Sequence, residues 1–199
     1  LVDYDGRGEY YLREALRFAK EHENDLEGRI HFMLAPHALY SCSENYLQSI
    51  AHAAEETGLP IHIHVAETEI EQEACLRNHG KRALQYLDST GLLRHKVLAA
   101  HMVHLDESEM ELAGERGVSA IHCPQSNMKL ASGIFPHGEL KKHGVPIALG
   151  TDGAASNNDL DMVEEMRTAI LLQKVAQKDA GALNPYQAFS MATINGAKA

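Results

Sequence analysis

The feature that most constrains this chain is a repeated unit. A short apolar run of strand character ends in a reactive polar residue and is followed by a stretch of helical periodicity. Five such runs occur in order: Arg29 to Ala35, Ile61 to Val65 (opened by Pro60), Lys96 to Ala100, Val118 to Ile121 and Val145 to Leu149. Their endings are His37, then His64 with Glu67, then His101 with His104, then His122 with Ser126 and Asn127, and finally Asp152. Strands separated by whole helices need crossover connections, which give a parallel sheet.

Two architectures fit that alternation, a (β/α)₈ barrel and an open doubly wound sheet. The second is disfavoured because no G-x-G-x-x-G follows the first strand and no phosphate-cradling P-loop sequence is present. The first is favoured because such barrels gather their catalytic groups at the carboxyl ends of several strands. Five units cannot close eight strands. The expectation is an α/β fold, a partial barrel of about strands 4–8 with their helices, in which residues 1–199 form one incomplete domain. About three strands are then expected upstream of Leu1.

The run from Pro60 to Glu67 illustrates the pattern. Ile61, Ile63 and Val65 are β-branched and alternate with His62 and His64, so the two histidines share one face of the strand. Helices are predicted over 9–24, from Tyr46 to Ala54, from Glu69 to Asp88, over 106–116 and near 138–143. Another is predicted after Ser156 and Asp159, with Leu160, Val163, Met166 and Ile170 on one stripe, and a last one from Asn184-Pro185. Ser41 and Ser43 both offer N-caps, Glu44 forming an S-x-x-E box with Ser41. Gln125 to Gly133 reads as a polar loop.

Composition narrows the function. A formal charge of -10 argues against nucleic acid and anionic membrane surfaces as partners. No apolar run approaches the ~18 residues that a membrane-spanning helix requires. Three widely spaced cysteines without CxxC spacing favour free thiols in a reducing compartment, here expected to be the cytoplasm. The oddity is 13 histidines against 18 lysines plus arginines.

His64, His101 and Asp152 could converge at the barrel mouth around one divalent ion. Imidazole nitrogens with a carboxylate oxygen suit Zn²⁺ first, and also Fe²⁺ or Mn²⁺. The ion would bring the pKa of a water toward neutrality, and Glu67 is placed to move that water's proton. Plainer readings stand beside these. Asp152 before Gly153 is a common turn residue, and His62 reads as an interior residue below the site. His104, His122 and His137 read as supporting or structural, Ser126-Asn127 as loop hydrogen-bonders, and Arg7 as a solvated loop residue. A non-catalytic α/β piece with structural histidines is the alternative of a different class.

Four ordered motifs carry a resemblance over nearly the whole chain: H-x-A-E-T (His64 to Thr68), A-H-M-V-H-L (Ala100 to Leu105), H-C-P-x-S-N-x-K-L-A-S-G (His122 to Gly133) and L-G-T-D-G-A-A-S-N-N (Leu149 to Asn158). Together they resemble the amidohydrolase superfamily, and within it the 5-methylthioadenosine/S-adenosylhomocysteine deaminases. The resemblance implies a metal-dependent barrel enzyme that removes ammonia from the adenine ring of a small purine nucleoside. It makes His64 and Asp152 metal ligands, and Glu67 the proton shuttle. It has His101 orient the attacking water, His37 position the substrate and Arg7 face the substrate's anionic tail. The family's first metal pair, an H-x-H ending strand 1, is not in the chain, and His62–His64 is not its counterpart. The chain alone is therefore expected to bind metal weakly and to lack activity. Open barrel edges are expected to favour a homo-oligomer. The alternative within the superfamily is a guanine, pyrimidine or s-triazine amino- or chlorohydrolase.

Overall fold

The computed structural model describes residues 1–3, 6–23 and 25–199 of the chain. Among these residues, four strands form one parallel sheet in chain order: β1 (Ile61–Val65), β2 (Val97–His101), β3 (Ser119–His122) and β4 (Ile147–Leu149). The register pairs Val65 with His101, Ala100 with Ile121 and His122 with Leu149, which sets the carboxyl ends nearly level. The helices Glu69–His79 and Ala83–Thr90 connect β1 to β2, and Glu107–Arg116 connects β2 to β3. His137–Lys142 precedes β4, and Met162–Gln177 and Pro185–Ala192 follow it.

The two faces of the sheet differ in kind. Ile61, Ile63, Val65, Val97, Ala99, Ala120, Ile147 and Leu149 belong to the main core, packed with the helical layer. Full burial of an Ile or Val side chain is worth roughly 1.5–3 kcal/mol, so this face fixes the strand register. The other face carries a separate, smaller cluster of Leu98, Ala100, Ile121, Cys123 and Ala148. By alternation it is also the face of His62 and His64. A parallel sheet with helices on one side and a thin inner cluster on the other is the wall of a (β/α)₈ barrel.

Several expectations need correction. Arg29 to Ala35 is not a ladder strand and meets β1 through one isolated bridge, Leu34 with Ile61, while Ala38 beyond it makes another with His64. Pro36 interrupts it because proline offers no N–H to a ladder. The His37 peptide is nonetheless fixed, its C=O accepting from the His64 N–H at 3.1 Å. The cap of the Glu44–Thr57 helix is Ser43, whose Oγ accepts from the Tyr46 N–H, while Ser41 lies in a 3-10 turn. The stretch from Gln125 read as a polar loop begins inside the helix Pro124–Lys129, which has proline at its first position. Leu160 lies before the Met162–Gln177 helix at φ +56°, so it is not part of that helix's stripe, and Val163 is exposed.

All three cysteines are free and buried. Burial pushes the Cys75 thiol up to about 11, with Glu71 and Glu109 adding to it, so it is protonated at neutral pH. No helix among the described residues is long and apolar enough to cross a membrane.

Candidate active site

Backbone that few residues adopt recurs at the strand ends. Ala66, His101, Met102 and Asp152 all have positive φ, at 52°, 73°, 47° and 60°. Left-handed non-glycine residues cost roughly 1–3 kcal/mol each and persist only where their surroundings hold them. Here the surroundings are hydrogen bonds. Glu71 accepts from the Ala66 N–H at 3.1 Å and the Glu67 N–H at 2.9 Å. The Ala66 carbonyl accepts from the N–H groups of Val103 and His104 at 3.0 and 2.9 Å. Thr68 caps the Glu69–His79 helix, and Glu71, at the position of a capping-box glutamate, reaches past it to clamp the turn that presents Glu67. Desolvation pushes the Glu71 carboxyl up, and the two backbone donors oppose it.

Ligand atoms of His64, His101 and Asp152 all lie within 4.8 Å of one another. Each ring is oriented by its other nitrogen. His64 Nδ1–H donates to the His37 carbonyl at 2.6 Å, and His101 Nδ1–H donates to Asn127 Oδ1 at 2.8 Å. In a neutral imidazole whose Nδ1 keeps its proton, Nε2 is the basic atom, so both rings offer Nε2. Asp152 Oδ2 accepts hydroxyls from Ser126 at 2.7 Å and Ser156 at 2.6 Å. Desolvation pushes this carboxyl up, but Ser156, Ser126, the Gly153 N–H and nearby His101 outweigh it and hold Asp152 below its ordinary value. An ionised carboxylate with two imidazole Nε2 atoms is a donor set that fits a divalent transition ion.

Glu67 borders this cluster. Its Oε2 is 3.7 Å from His101 Nε2, and its Oε1 accepts from Ser132 Oγ at 3.1 Å. His37 stands on the other side, its ring centroid 5.0 Å from that of His64. Ser41 Oγ donates to the Ala38 carbonyl and so accepts from His37 Nδ1–H at 2.8 Å, which again leaves Nε2 as the basic atom. Desolvation, with His64 adding, lowers the His37 pKa against the pull of Glu67.

Of the six residues singled out by sequence, the fold thus gathers His37, His64, Glu67, His101 and Asp152. Arg7 lies on a different segment, exposed before the Gly8–His22 helix, with its guanidinium over the Tyr11 ring at 5.2 Å. His62 shares the inner face below His64, and desolvation followed by His64 and His101 lowers its pKa. Ser126 and Asn127, read from sequence as loop hydrogen-bonders, bond Asp152 and His101, whereas Ser132, Ser156 and Glu71 were given no part in the site. The T-x-x-E spacing of Thr68 and Glu71 was the available signal for the last of these.

A parallel barrel wall whose strand ends converge on two imidazoles and two carboxylates is a barrel of the (β/α)₈ class with a metal-type donor set at its mouth. The sequence profile of the amidohydrolase family matches residues 3–199, and the chain belongs to that family. It is 50% identical over 188 residues to a 5-methylthioadenosine/S-adenosylhomocysteine deaminase of Pelotomaculum thermopropionicum, covering 94% of this chain and 43% of the relative. A 5'-deoxyadenosine deaminase of Methanothermobacter thermautotrophicus is likewise 50% identical, with 94% and 44% covered. Among solved structures, an adenosine deaminase of Xanthomonas campestris with bound zinc matches with a TM-score of 0.89 at 40% identity, covering 94% of this chain and 42% of that one. A guanine deaminase of C. acetobutylicum, at 23% identity and a TM-score of 0.89, shares the fold. The chain spans less than half the length of these relatives.

Proposed function

We propose that the full-length protein is a metal-dependent hydrolase that removes ammonia from the adenine ring of 5'-modified adenosines. The observation that carries this reading is the convergence of His64, His101 and Asp152 within 4.8 Å, with Glu67 Oε2 3.7 Å from His101. The relatives' names share an adenosine whose 5' position is altered, which supports the substrate class. Zinc is the proposed ion, supported by the zinc-bound relative, and Fe²⁺ or Mn²⁺ suits the same donors.

His64 and Asp152 would hold the ion, with His101 beside it. When bound, the ion supplies Lewis acidity that brings a water's pKa toward neutrality. His101 Nε2, fixed by the Asn127 contact, orients that water, and the ionised Asp152 carboxylate accepts its proton. Glu67 carries the water's other proton to a ring nitrogen of the purine, and the proton held by Asp152 passes to the amino group as it leaves as ammonia. The net change is amino group plus water to carbonyl plus ammonia. His37 Nε2 is assigned to the substrate beside this centre, and Arg7 to an anionic 5' tail, which guanidinium suits.

Glu67→Gln in the full-length protein tests this reading. Turnover of methylthioadenosine, S-adenosylhomocysteine and 5'-deoxyadenosine should fall by roughly 10²–10⁴-fold with metal content retained. Undiminished turnover would remove Glu67 from the mechanism, and turnover of guanine alone would contradict the substrate class.

A further inference from the structure

We propose that Ser132 is a positioning residue that gives the two oxygens of Glu67 different tasks, an inference that rests on Glu67 being the proton shuttle. The Ser132 hydroxyl donates to Oε1 at 3.1 Å, whereas Oε2 faces His101 Nε2 at 3.7 Å. A donor on Oε1 takes one of its two lone pairs, which leaves Oε2 the better acceptor of an arriving proton. The mobile proton is therefore carried on Oε2, the oxygen turned toward the metal-type centre. Without the hydroxyl the carboxylate could rotate and present either oxygen, and its side chain is 18% exposed, so water could compete for both.

Ser132 is held in place by two backbone hydrogen bonds and a close-packed neighbour. It is 6% exposed, and its carbonyl accepts from His104 Nε2–H at 2.5 Å. Its N–H donates to the Asn127 carbonyl at 2.8 Å. The following residue, Gly133, has φ +134°, and a Cβ there would lie 2.8 Å from Val103 Cγ1 and 3.2 Å from His104 Nε2. Only glycine lets this loop close onto His104. The contact therefore joins the loops after β1, β2 and β3 through Glu67, His104 and Ser132. The Asn127–Ser132 turn orients His101 at one end and Glu67 at the other. One loop sets both the residue that orients water and the residue that moves its proton.

The test uses the full-length zinc-loaded protein. Ser132→Ala should lower kcat by roughly 10–100-fold, the usual effect of removing a partner that orients a site group, with KM and zinc content within about twofold. Ser132→Thr, which keeps the hydroxyl, should recover most of that loss. Adding Ser132→Ala to Glu67→Gln should cost nothing further, because residues acting through one group are non-additive. A kcat for Ser132→Ala within twofold of wild type, or an equal further loss in the Glu67→Gln background, overturns the proposal. If Glu67→Gln itself leaves turnover intact, the shuttle reading fails and the role of Ser132 fails with it.

Discussion

His101 and His122 end neighbouring parallel strands and are both buried, at 1% and 0% exposure, yet only one belongs to the site. By strand alternation His101 should share the outer face with Val97 and Ala99, which lie in the main core. Its φ of +73° ends the alternation, and its ring instead stacks on His64 with centroids 5.4 Å apart. His122 has no such turn. It stays on the outer face with Ala120, its ring parallel to Phe135 at 4.4 Å. One His101 nitrogen is held by Asn127 and the other faces Glu67, whereas neither His122 nitrogen has a hydrogen-bond partner among the described residues. A histidine at a strand end is thus not a site residue by position alone. The backbone turn that follows the strand decides which face it joins.

That contrast can be broken in two places. Asn127→Ala would free the His101 ring while leaving its backbone turn, and turnover of the full-length protein should fall roughly 10–100-fold. Unchanged turnover would show that the turn alone orients the ring. A smaller effect is expected at His122. Burial, then His137 and His101, pushes its pKa from the ordinary 6.5 down to about 3. Between these values the unfolded chain binds a proton that the folded chain excludes, so the stability is fully present above pH 6.5 and is lost as pH falls. The loss is at most about 1.4 kcal/mol per pH unit. His122→Phe should flatten this acid limb in pH-dependent unfolding and leave turnover within about threefold. A tenfold loss of turnover would mean that His122 serves the site after all.

Much of this was legible in the residues. The alternation of Ile61, Ile63 and Val65 with two histidines fixed the faces of β1, and the apolar runs before His101, His122 and Asp152 located the other strands. What was not legible depended on contacts between loops far apart in sequence. Asn127 meets His101 across 26 residues and Ser132 meets Glu67 across 65, and no local pattern encodes either pairing. The helix Pro124–Lys129 was hidden because its polar residues resemble a loop, although the proline at its first position was a start signal. Positive φ at Ala66, His101 and Asp152 was also unreadable, since none is the glycine that usually announces it. His37, expected as a strand ending, stands beside His64 although the strand before it did not form.

The inward cluster of His64, His101 and Asp152, and not the outward His122, is proposed to hold the ion. Metal content of the full-length protein after exhaustive dialysis, measured for wild type, His64→Ala and His122→Phe, tests it most directly. About one equivalent of zinc in wild type and in His122→Phe, with under about a tenth in His64→Ala, is the predicted result for a site that depends on its imidazole ligands. A full equivalent retained by His64→Ala, or lost from His122→Phe, would contradict it.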